Sequence, residues 1–474
     1  MNFPENGMER ETIFQDLAIK KASDPNWHKG QTLSLVYHHS DEHLNFLKEV
    51  YGLYMQENGL NPLAFKSLKV MEDEVIQMVL NLFHAPSTGC GAVTTGGTES
   101  ILLALRTYKE YGKKIKGIKK PEIILPITAH PAFMKACDYF VIKPILIDSD
   151  KEYRVTVEKV KTAITKNTIA LVGSAPQFPQ GVLDPIEKLS LLALEYDLPL
   201  HVDACVGGFY LPFMKNPPVF DFQIPGVTSI SADLHKYGYA AKGASTLTYR
   251  DMKYMQHQFF VYENWPGGVY ATANIPGSKS GGGIACAWAT LKFFGKKGYQ
   301  KLTQETQEVA DYIMKEINSM HPLQVTSNPA MSIFGFQSLE PKFDIYRVAE
   351  LMHKNGWQID KQIRPRGLHM MITINHKTVA EKLCCDMRSA VDYVLKNPSQ
   401  EVSEQVAMYG MMSDLPFRGV IKNEILKFFM NLYKPGAALN ETDMSSQDAP
   451  PPIVLKVMGL YSRILAWVRS LSRT

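Results

Sequence analysis

A lysine with the surroundings of a nucleophile stands at position 236. It lies in a polar segment, residues 231–238, that follows a short apolar run and also contains Asp233 and His235. Such a lysine is a candidate for Schiff-base chemistry, because burial or a cationic neighbour lowers the pKa of its amine and frees the nucleophile. A lysine in a solvated loop would be the plainer interpretation of the same pattern.

A carboxylate, Asp203, follows another apolar run, 33 residues before Lys236 (236 − 203). A carboxylate in that place could keep a ring nitrogen protonated, as pyridoxal phosphate requires when it acts as an electron sink. By itself, an aspartate after a strand is as often the N-cap of a helix. The occurrence of Asp203 and Lys236 after two separate apolar runs favours the cofactor interpretation.

Two other features suggest how a planar, phosphorylated cofactor would be held. The glycine pair Gly96 and Gly97 precedes Thr98 at the start of a predicted helix, where backbone amides and a hydroxyl could bind a phosphate. A glycine turn with Thr98 capping the helix fits the same residues. His130 follows a predicted strand and could stack on the cofactor ring, although a lone histidine there is more often a hydrogen-bonded structural residue.

The elements that must position these residues alternate between strands and helices. Apolar runs predict strands at 123–127, 144–147, 169–172, 198–202, 228–230 and 245–248, and helical spacing predicts helices at 71–83, 98–114, 155–164 and 186–196. This alternation is typical of an α/β fold with a mostly parallel sheet, in which ligands bind beyond the carboxyl ends of the strands. After residue 310, a helix over 303–320, strands at 331–336 and 370–374 and a helix over 344–354 predict a smaller α+β unit.

The order of phosphate loop, histidine, aspartate and lysine resembles the fold-type I pyridoxal-phosphate enzymes of the group II decarboxylase family. Within that family the sequence is most similar to the sphingosine-1-phosphate lyases, from about residue 30 to residue 400. Stretches away from the catalytic residues also match, which makes the resemblance specific. The matching stretches are residues 96–102, 176–182, 201–209, 231–243, 277–282, 343–347 and 356–357.

The resemblance implies a fold and a division of the chain. It implies a large cofactor domain with a mostly parallel seven-stranded sheet and a smaller α+β C-terminal domain. The predicted units are an N-terminal segment (1–65) that contributes to the active site and to a dimer, the large domain (66–310), the small domain (311–400), and a helical extension (401–474). This extension includes a linker over 434–452 and a basic amphipathic tail over 453–474.

The resemblance also implies a role for each matched residue. It implies that Lys236 forms the Schiff base, Asp203 pairs with the pyridine nitrogen, and His130 stacks on the ring of pyridoxal 5′-phosphate. The residues implied to bind the cofactor phosphate are Gly97, Thr98 and His235, with Gly281 and Gly282 reaching it from the neighbouring subunit of a homodimer. The residues implied to bind the substrate phosphate are Tyr37, Lys242, Ser278 and Asn61, which stands where relatives have a histidine.

The implied reaction is the retro-aldol cleavage of the C2–C3 bond of phosphorylated sphingoid bases, such as sphingosine 1-phosphate, to phosphoethanolamine and a long-chain aldehyde. The identity of the general base stays open between Lys236 and a nearby histidine. One alternative is a pyridoxal-phosphate amino-acid decarboxylase, for which Arg364 or Arg366 could bind the substrate carboxylate. A second alternative is a non-catalytic scaffold that keeps the fold.

Composition excludes several other classes of protein. The 474 residues carry a net charge of +4 (51 − 47), which gives no electrostatic case for a nucleic-acid partner, and we predict no metal site. Charged residues interrupt the first thirty positions and no run of about 18 apolar residues occurs, so neither a signal peptide nor a membrane span is predicted. We expect a cytoplasmic protein, with the tail over 453–474 lying on membrane surfaces or packing on protein.

Overall fold

The computed structural model describes residues 3–398 and 418–435. Its centre is a seven-stranded sheet with the strand order β1-β7-β6-β5-β4-β2-β3. The strands are β1 (Cys90–Thr94), β2 (Glu122–Pro126), β3 (Lys143–Ile147), β4 (Thr168–Ser174), β5 (Leu200–Asp203), β6 (Val227–Ala232) and β7 (Ser245–Tyr249). Strand β7 runs antiparallel to both of its neighbours, and the remaining pairs are parallel. The prediction of a mostly parallel sheet is therefore confirmed.

Helices cover the sheet on both faces and bury two apolar cores against it. They are α3 (Lys66–Leu82), α4 (Gly97–Lys116), α5 (Ala132–Phe140), α6 (Val157–Ala163), α7 (Ile186–Glu195) and α8 (Met252–Met255). The bounds of α3, α4, α6 and α7 lie close to those that the helical spacing predicted, whereas α5 and α8 had no predicted counterpart. Strand β1 had no predicted counterpart, because its sequence, with a cysteine and a glycine at its start, lacks a continuous apolar run.

A second, four-stranded antiparallel sheet lies in the C-terminal half, with the order β10-β11-β13-β12. Its elements are β10 (Leu323–Val325), β11 (Ile333–Ser338), β12 (Asp360–Ile363) and β13 (Arg366–Met371), packed with α10 (Ile345–Lys354) and α11 (Ala380–Lys396) around a separate core. The long helix α9 (Gly281–Asn318) passes through the predicted domain boundary at 310, and its break lies earlier, at Gly295, where φ is 58°. The division of the chain into domains stays a prediction.

The N-terminal segment contains α1 (Arg10–Lys21) and α2 (Asp41–Leu53), and helix α2 packs on α9. A hairpin, β8 (Phe260–Trp265) and β9 (Gly268–Thr272), projects its apolar side chains into solvent. Helix α12 (Arg418–Leu432) follows the gap at 399–417. The predicted tail over 453–474 and most of the linker before it lie outside the described residues. Within the described residues, no helix is both long and apolar enough to cross a membrane.

The strand register brings polar residues to one edge of the large sheet. Asp203, the last residue of β5, pairs with Ser174 of β4 on one side and with Ser231 of β6 on the other. Because β4, β5 and β6 are parallel, their carboxyl ends open at the same edge. Residues 233–238, which include Lys236, directly follow β6 and therefore start beside Asp203.

A buried ion pair fixes the connection between the hairpin and α9. The Lys279 Nζ lies 2.9 Å from Glu72 Oε1 of α3 and also donates to the Val93 carbonyl of β1 at 3.2 Å. Only 7% of the Lys279 side chain and 17% of the Glu72 side chain are exposed. Glu72 Oε1 also accepts the Val93 amide. The pair therefore ties α3, β1 and the start of α9 together.

We expect Lys279→Met to lower the free energy of unfolding by about 3 kcal/mol, because the substitution leaves the Glu72 carboxylate largely buried without its cation. Lys161→Met is the matched control. Lys161 pairs with Glu195 at the same distance of 2.9 Å, but both side chains are half exposed. The Lys161→Met substitution should therefore lower the free energy of unfolding by less than about 1 kcal/mol. Urea denaturation of the two variants measures the difference. Equal losses would contradict the structural role of the Lys279 pair.

Candidate active site

A cavity of about 420 Å³ opens at the carboxyl edge of the large sheet. Its wall combines the strand-end residues with the start of α4 and with the loop after β6. The sequence-predicted residues that line it are Gly97, Thr98, His130, Asp203, His235 and Lys236. The structure therefore brings together all six of the residues to which the resemblance assigned cofactor contacts within one subunit.

Lys236 lies beside a carboxylate to which the sequence analysis gave no role. Its Nζ is 2.9 Å from Asp233 Oδ2, and the Asp233 side chain is 1% exposed. Burial opposes the charge on Lys236, but the Asp233 carboxylate outweighs burial and raises the pKa of the lysine above its ordinary value. The expectation of a lowered pKa is therefore wrong, because the nearest charge to the amine is an anion.

Asp203 is held at the end of β5 by local hydrogen bonds. Its Oδ1 accepts the Cys205 amide at 3.1 Å and the Ser231 hydroxyl at 3.3 Å. Ser231 in turn contacts His201 Nε2 at 3.3 Å. His201 and Asp203 lie two residues apart on one strand, so both point to the same face of the sheet. The two-residue spacing of His201 and Asp203 in the sequence could have indicated that His201 helps to hold Asp203 through Ser231.

Burial lowers the pKa of His201 to about 4, so the ring is neutral at physiological pH. A neutral His201 leaves Asp203 without an opposing cation on the sheet side. The carboxylate is therefore open to a group that enters from the cavity. This arrangement suits an aspartate whose partner is a protonated ring nitrogen.

Helix α4 presents its N-terminus to the cavity. The N-cap residue is Gly96, and no side chain caps the helix. Thr98 is the second residue of the helix and lines the cavity, so the alternative in which Thr98 caps the helix is wrong. Free amides and the helix dipole make this end a suitable phosphate site. A Cβ at position 97 would lie 2.8 Å from Asp233 Oδ2 and 2.8 Å from Cys205 Sγ, which explains the glycine.

The two histidines of the cavity are both neutral. Burial lowers the pKa of His130 and lowers that of His235 to about 4. The Nδ1 atom of His130 accepts the Ala132 amide at 3.2 Å, and that of His235 accepts the Ala244 amide at 3.3 Å. In these tautomers the ring proton is on Nε2 of each histidine. Both rings therefore offer a donor to the cavity rather than a base.

The wall also holds buried polar atoms without partners, which is the test of whether a cofactor fits. Ser174 Oγ and Asp233 Oδ1 are buried and lack a hydrogen-bond partner, and both residues line the cavity. Buried polar groups in folded proteins are normally satisfied. A polar, planar ligand of the size of pyridoxal phosphate would satisfy them, so the residues present fit this cofactor.

Two of the four predicted substrate-phosphate residues lie in a second cavity that shares His235 with the first. Lys242 Nζ is 5.0 Å from the centroid of the Tyr37 ring and donates to the Leu35 carbonyl at 2.9 Å. Partial desolvation, reinforced by the nearby Lys236 cation, lowers the pKa of Lys242 to about 8. Burial raises the pKa of Tyr37, so its hydroxyl stays protonated.

The other two predicted phosphate residues, Ser278 and Asn61, have local hydrogen-bond partners. Ser278 Oγ accepts the Asn58 side-chain amide at 3.1 Å, in a segment that pairs with residues 57–59. The side-chain oxygen Oδ1 of Asn61 accepts the Leu63 and Ala64 amides and closes a local turn. No hydrogen bond joins either residue to Tyr37 or Lys242 within residues 3–398. Their predicted contact with the substrate phosphate stays a prediction.

Gly281 and Gly282 begin helix α9 and do not line the cavity that contains Lys236. A Cβ at position 281 would approach the Tyr54 carbonyl at 2.9 Å, and one at position 282 would approach the Tyr51 ring at 2.8 Å. Close packing on the N-terminal segment therefore accounts for both glycines within one chain. Their predicted contact with a neighbouring subunit's cofactor stays a prediction.

The arginines of the decarboxylase alternative are placed elsewhere. The Arg366 guanidinium pairs with Asp344 at 2.9 Å and lies over the Tyr346 ring. Arg364 is exposed, and its carbonyl accepts from Gln180 at 3.4 Å. Neither arginine contributes to the wall of the described cavity. Lys242 lines the adjoining second cavity, which neither arginine does.

Comparisons with known proteins agree with this geometry. A family model described as the pyridoxal-dependent decarboxylase conserved domain matches residues 5–338. The chain is 40% identical over 436 residues to a sphingosine-1-phosphate lyase of Drosophila melanogaster, covering 90% of this chain and 79% of the relative. It is 38% identical over 454 residues to sphingosine-1-phosphate lyase 1 of Rattus norvegicus, covering 94% and 79%.

Solved structures show the same relationship. The sphingosine-1-phosphate lyase of Burkholderia pseudomallei superposes with a TM-score of 0.79 at 37% identity, over 84% of this chain and 97% of that one. A glutamate decarboxylase of Lactobacillus brevis superposes with a TM-score of 0.75 at 20% identity, a likeness that supports the fold alone. The fold-type I prediction is confirmed. The chain belongs to the pyridoxal-dependent decarboxylase family and, within it, to the sphingosine-1-phosphate lyases.

Proposed function

We propose that this chain is a pyridoxal-phosphate-dependent lyase that cleaves the C2–C3 bond of phosphorylated sphingoid bases. The products would be phosphoethanolamine and a long-chain aldehyde. The observation that carries the proposal is the pair of adjoining cavities. One contains Lys236 and Asp203. The other presents Lys242, which has no carboxylate partner among the described residues, where a phosphorylated substrate would place its anion.

Pyridoxal phosphate, when bound, supplies an aldehyde that captures amines and a pyridinium that withdraws electrons from the reacting carbon. We assign the covalent attachment to Lys236 and the pairing with the ring nitrogen to Asp203. The N-terminus of α4, with Gly97 and Thr98, and His235 would hold the phosphate. His130 would stack on the ring. Each assignment rests on the position of these residues in one cavity wall.

The cleavage requires a group that takes the proton of the substrate hydroxyl. His130 and His235 present Nε2–H donors to the cavity. The Lys236 amine is the candidate base once it is freed from the cofactor, because Asp233 raises its pKa and therefore its affinity for a proton. Asp233, 2.9 Å away, would stabilise the ammonium that forms when the lysine accepts the proton. The same pair could return the proton to the departing product. We therefore propose Lys236 as the proton carrier, supported by Asp233.

The substrate phosphate would lie on Lys242 and Tyr37. Lys242 is held by the Leu35 and His235 carbonyls rather than by a carboxylate, so its charge is not neutralised. Tyr37 donates its hydroxyl to Met371 Sδ at 3.6 Å, a weak contact that a phosphate oxygen would replace with a stronger one. This arrangement favours a phosphorylated substrate over an amino acid, because the decarboxylase alternative needs an arginine here.

A homodimer would complete the phosphate site. Among the described residues of one chain, neither Ser278 nor Asn61 is hydrogen-bonded to Tyr37 or Lys242. The exposed hairpin supports a self-association surface, since Val261, Tyr262, Trp265 and Val269 are each at least 45% exposed. We therefore propose that Ser278 and Asn61 of one subunit serve the active site of the other.

Membrane association through the tail over 453–474 stays a prediction, because this segment lies outside the described residues. A lipid substrate would make such an association useful. Comparison of the full chain with a chain ending at Pro452 in liposome flotation would test it. Equal partitioning of the two chains would exclude the idea.

Replacement of the lysine tests the catalytic assignment. We expect Lys236→Ala to lower aldehyde formation from sphingosine 1-phosphate by more than about 10⁴-fold, because both the covalent attachment and the proton carrier are lost. Lys161→Ala, on a distant exposed pair, should leave turnover unchanged. Detection of phosphoethanolamine rather than carbon dioxide excludes the decarboxylase. Substantial activity in Lys236→Ala would refute the assignment.

The pKa of Lys242 predicts a pH dependence of substrate binding. The ammonium is charged below about pH 8 and loses its proton above it, whereas a phosphate monoester is already doubly charged above about pH 7. The KM should therefore rise as the pH increases through 8, with kcat less affected. Lys242→Arg should keep a low KM at high pH, and Lys242→Gln should show a high KM throughout. A KM rise above pH 8 that persists in Lys242→Gln would contradict phosphate binding by this residue.

Complementation tests the shared site. Lys236→Ala and Ser278→Ala chains, each inactive or weak alone, should regain about one quarter of wild-type activity when mixed and allowed to exchange subunits. Half of the dimers would be mixed, and each mixed dimer would hold one intact site. Lys236→Ala mixed with Lys242→Ala is the control and should not recover, because both residues belong to one chain's site. No recovery in the first mixture would place Ser278 in its own subunit's site.

A further inference from the structure

Two histidines and an aspartate meet at the rim of the second cavity. His28 lies in a short 3₁₀ helix (Trp27–Lys29), His38 follows ten residues later, and Asp41 begins α2. His28 Nδ1 lies 3.5 Å and His38 Nε2 lies 3.6 Å from the same oxygen, Asp41 Oδ1. All three ligand atoms lie within 4.8 Å of one another.

These distances fit metal coordination better than hydrogen bonding. Both exceed the usual N–H···O range of about 2.7–3.2 Å. Ligands at about 2.1 Å from a tetrahedral zinc ion stand about 3.4 Å apart, close to the two distances observed. We propose that His28, His38 and Asp41 form a binding site for Zn²⁺ or a similar divalent transition metal, with the fourth position open to solvent.

The surroundings hold the two rings in place. The Trp27 ring stacks on His28 with a centroid separation of 3.6 Å and meets the edge of His38 at 5.3 Å. The Trp27 carbonyl accepts the Asn375 side-chain amide at 2.8 Å, which fastens the 3₁₀ helix to the C-terminal part of the chain. Fixed ligand rings lower the entropy lost when a metal binds, which is how supporting contacts increase affinity.

The start of helix α2 sets the position of the Asp41 backbone. The Ser40 hydroxyl caps this helix by accepting the His43 amide at 3.2 Å, which sets the direction in which the helix begins. The Asp41 side chain is 78% exposed and His28 is 45% exposed, so a metal ion can enter from solvent. Imidazole nitrogens select metals of the zinc, copper and nickel kind, whereas Mg²⁺ and Ca²⁺ prefer oxygen ligands.

The site would close a loop that carries part of the proposed phosphate site. The ligands His28 and Asp41 bracket the segment that contains Tyr37 and the Leu35 carbonyl, to which Lys242 donates. A bound metal would hold the two ends of this segment together. Metal binding should therefore raise the thermal midpoint of the chain, since a ligand that binds only the folded state stabilises it. This consequence is independent of the proposed enzymatic function.

Isothermal titration of the full-length, cofactor-loaded protein with Zn²⁺ tests the proposal. All variants would carry Cys385→Ser, since this exposed thiol could bind zinc by itself. We expect one Zn²⁺ per chain with a rise in thermal midpoint, and affinity at least about tenfold weaker in His38→Ala and in Asp41→Asn. Excess Mg²⁺ should not compete.

His321→Ala provides the matched control, because His321 forms an exposed pair with Glu340 at 2.7 Å but has no third metal ligand in the part of the chain that the structure describes. Its zinc affinity should equal that of the parent chain. Absence of saturable binding, or binding that survives both His38→Ala and Asp41→Asn, would overturn the proposal. Asp41→Asn keeps the size of the side chain, so loss of binding in a folded Asp41→Asn variant separates coordination from loss of structure.

Discussion

The register of three parallel strands is the constraint on which the site depends. The pairing of Ser174 with Asp203 and of Asp203 with Ser231 places the ends of β4, β5 and β6 at one edge. A shift of one residue in β5 would turn Asp203 and His201 to the opposite face. The burial of apolar side chains on both faces of the sheet fixes this register. The hydrophobic core and the chemistry of the cavity are therefore consequences of the same pairing.

Two lysines at the site differ in charge environment, and the difference separates their roles. Lys236 has the buried Asp233 carboxylate at 2.9 Å, which provides a place for a proton to be held and returned. Lys242 has backbone carbonyls as its neighbours, so its charge is available to an incoming anion. The site thus keeps the group for proton transfer apart from the group for substrate binding. His235 lines both cavities and connects the two parts.

Much of the fold followed from the sequence, because its strands and helices have clear apolar patterns. Six of the seven strands of the large sheet and its main helices lie close to their predicted positions. Strand β1 was missed because its pairing with β7, rather than its own composition, makes it a strand. Lys236, Asp203 and the glycine loop were found because each directly follows or precedes an apolar element. Asp233 stood in the same segment, but nothing in the sequence indicated that it would be buried beside the lysine.

The sequence by itself determined which residue types follow which strands, and hence the cofactor class, because those relations are local along the chain. Tertiary structure alone decided the sign of the pKa shift of Lys236 and the neutral state of His130 and His235. It also brought His28 and His38 to Asp41. These properties depend on distances and burial between segments, which are set by how the elements pack and not by the order of residues.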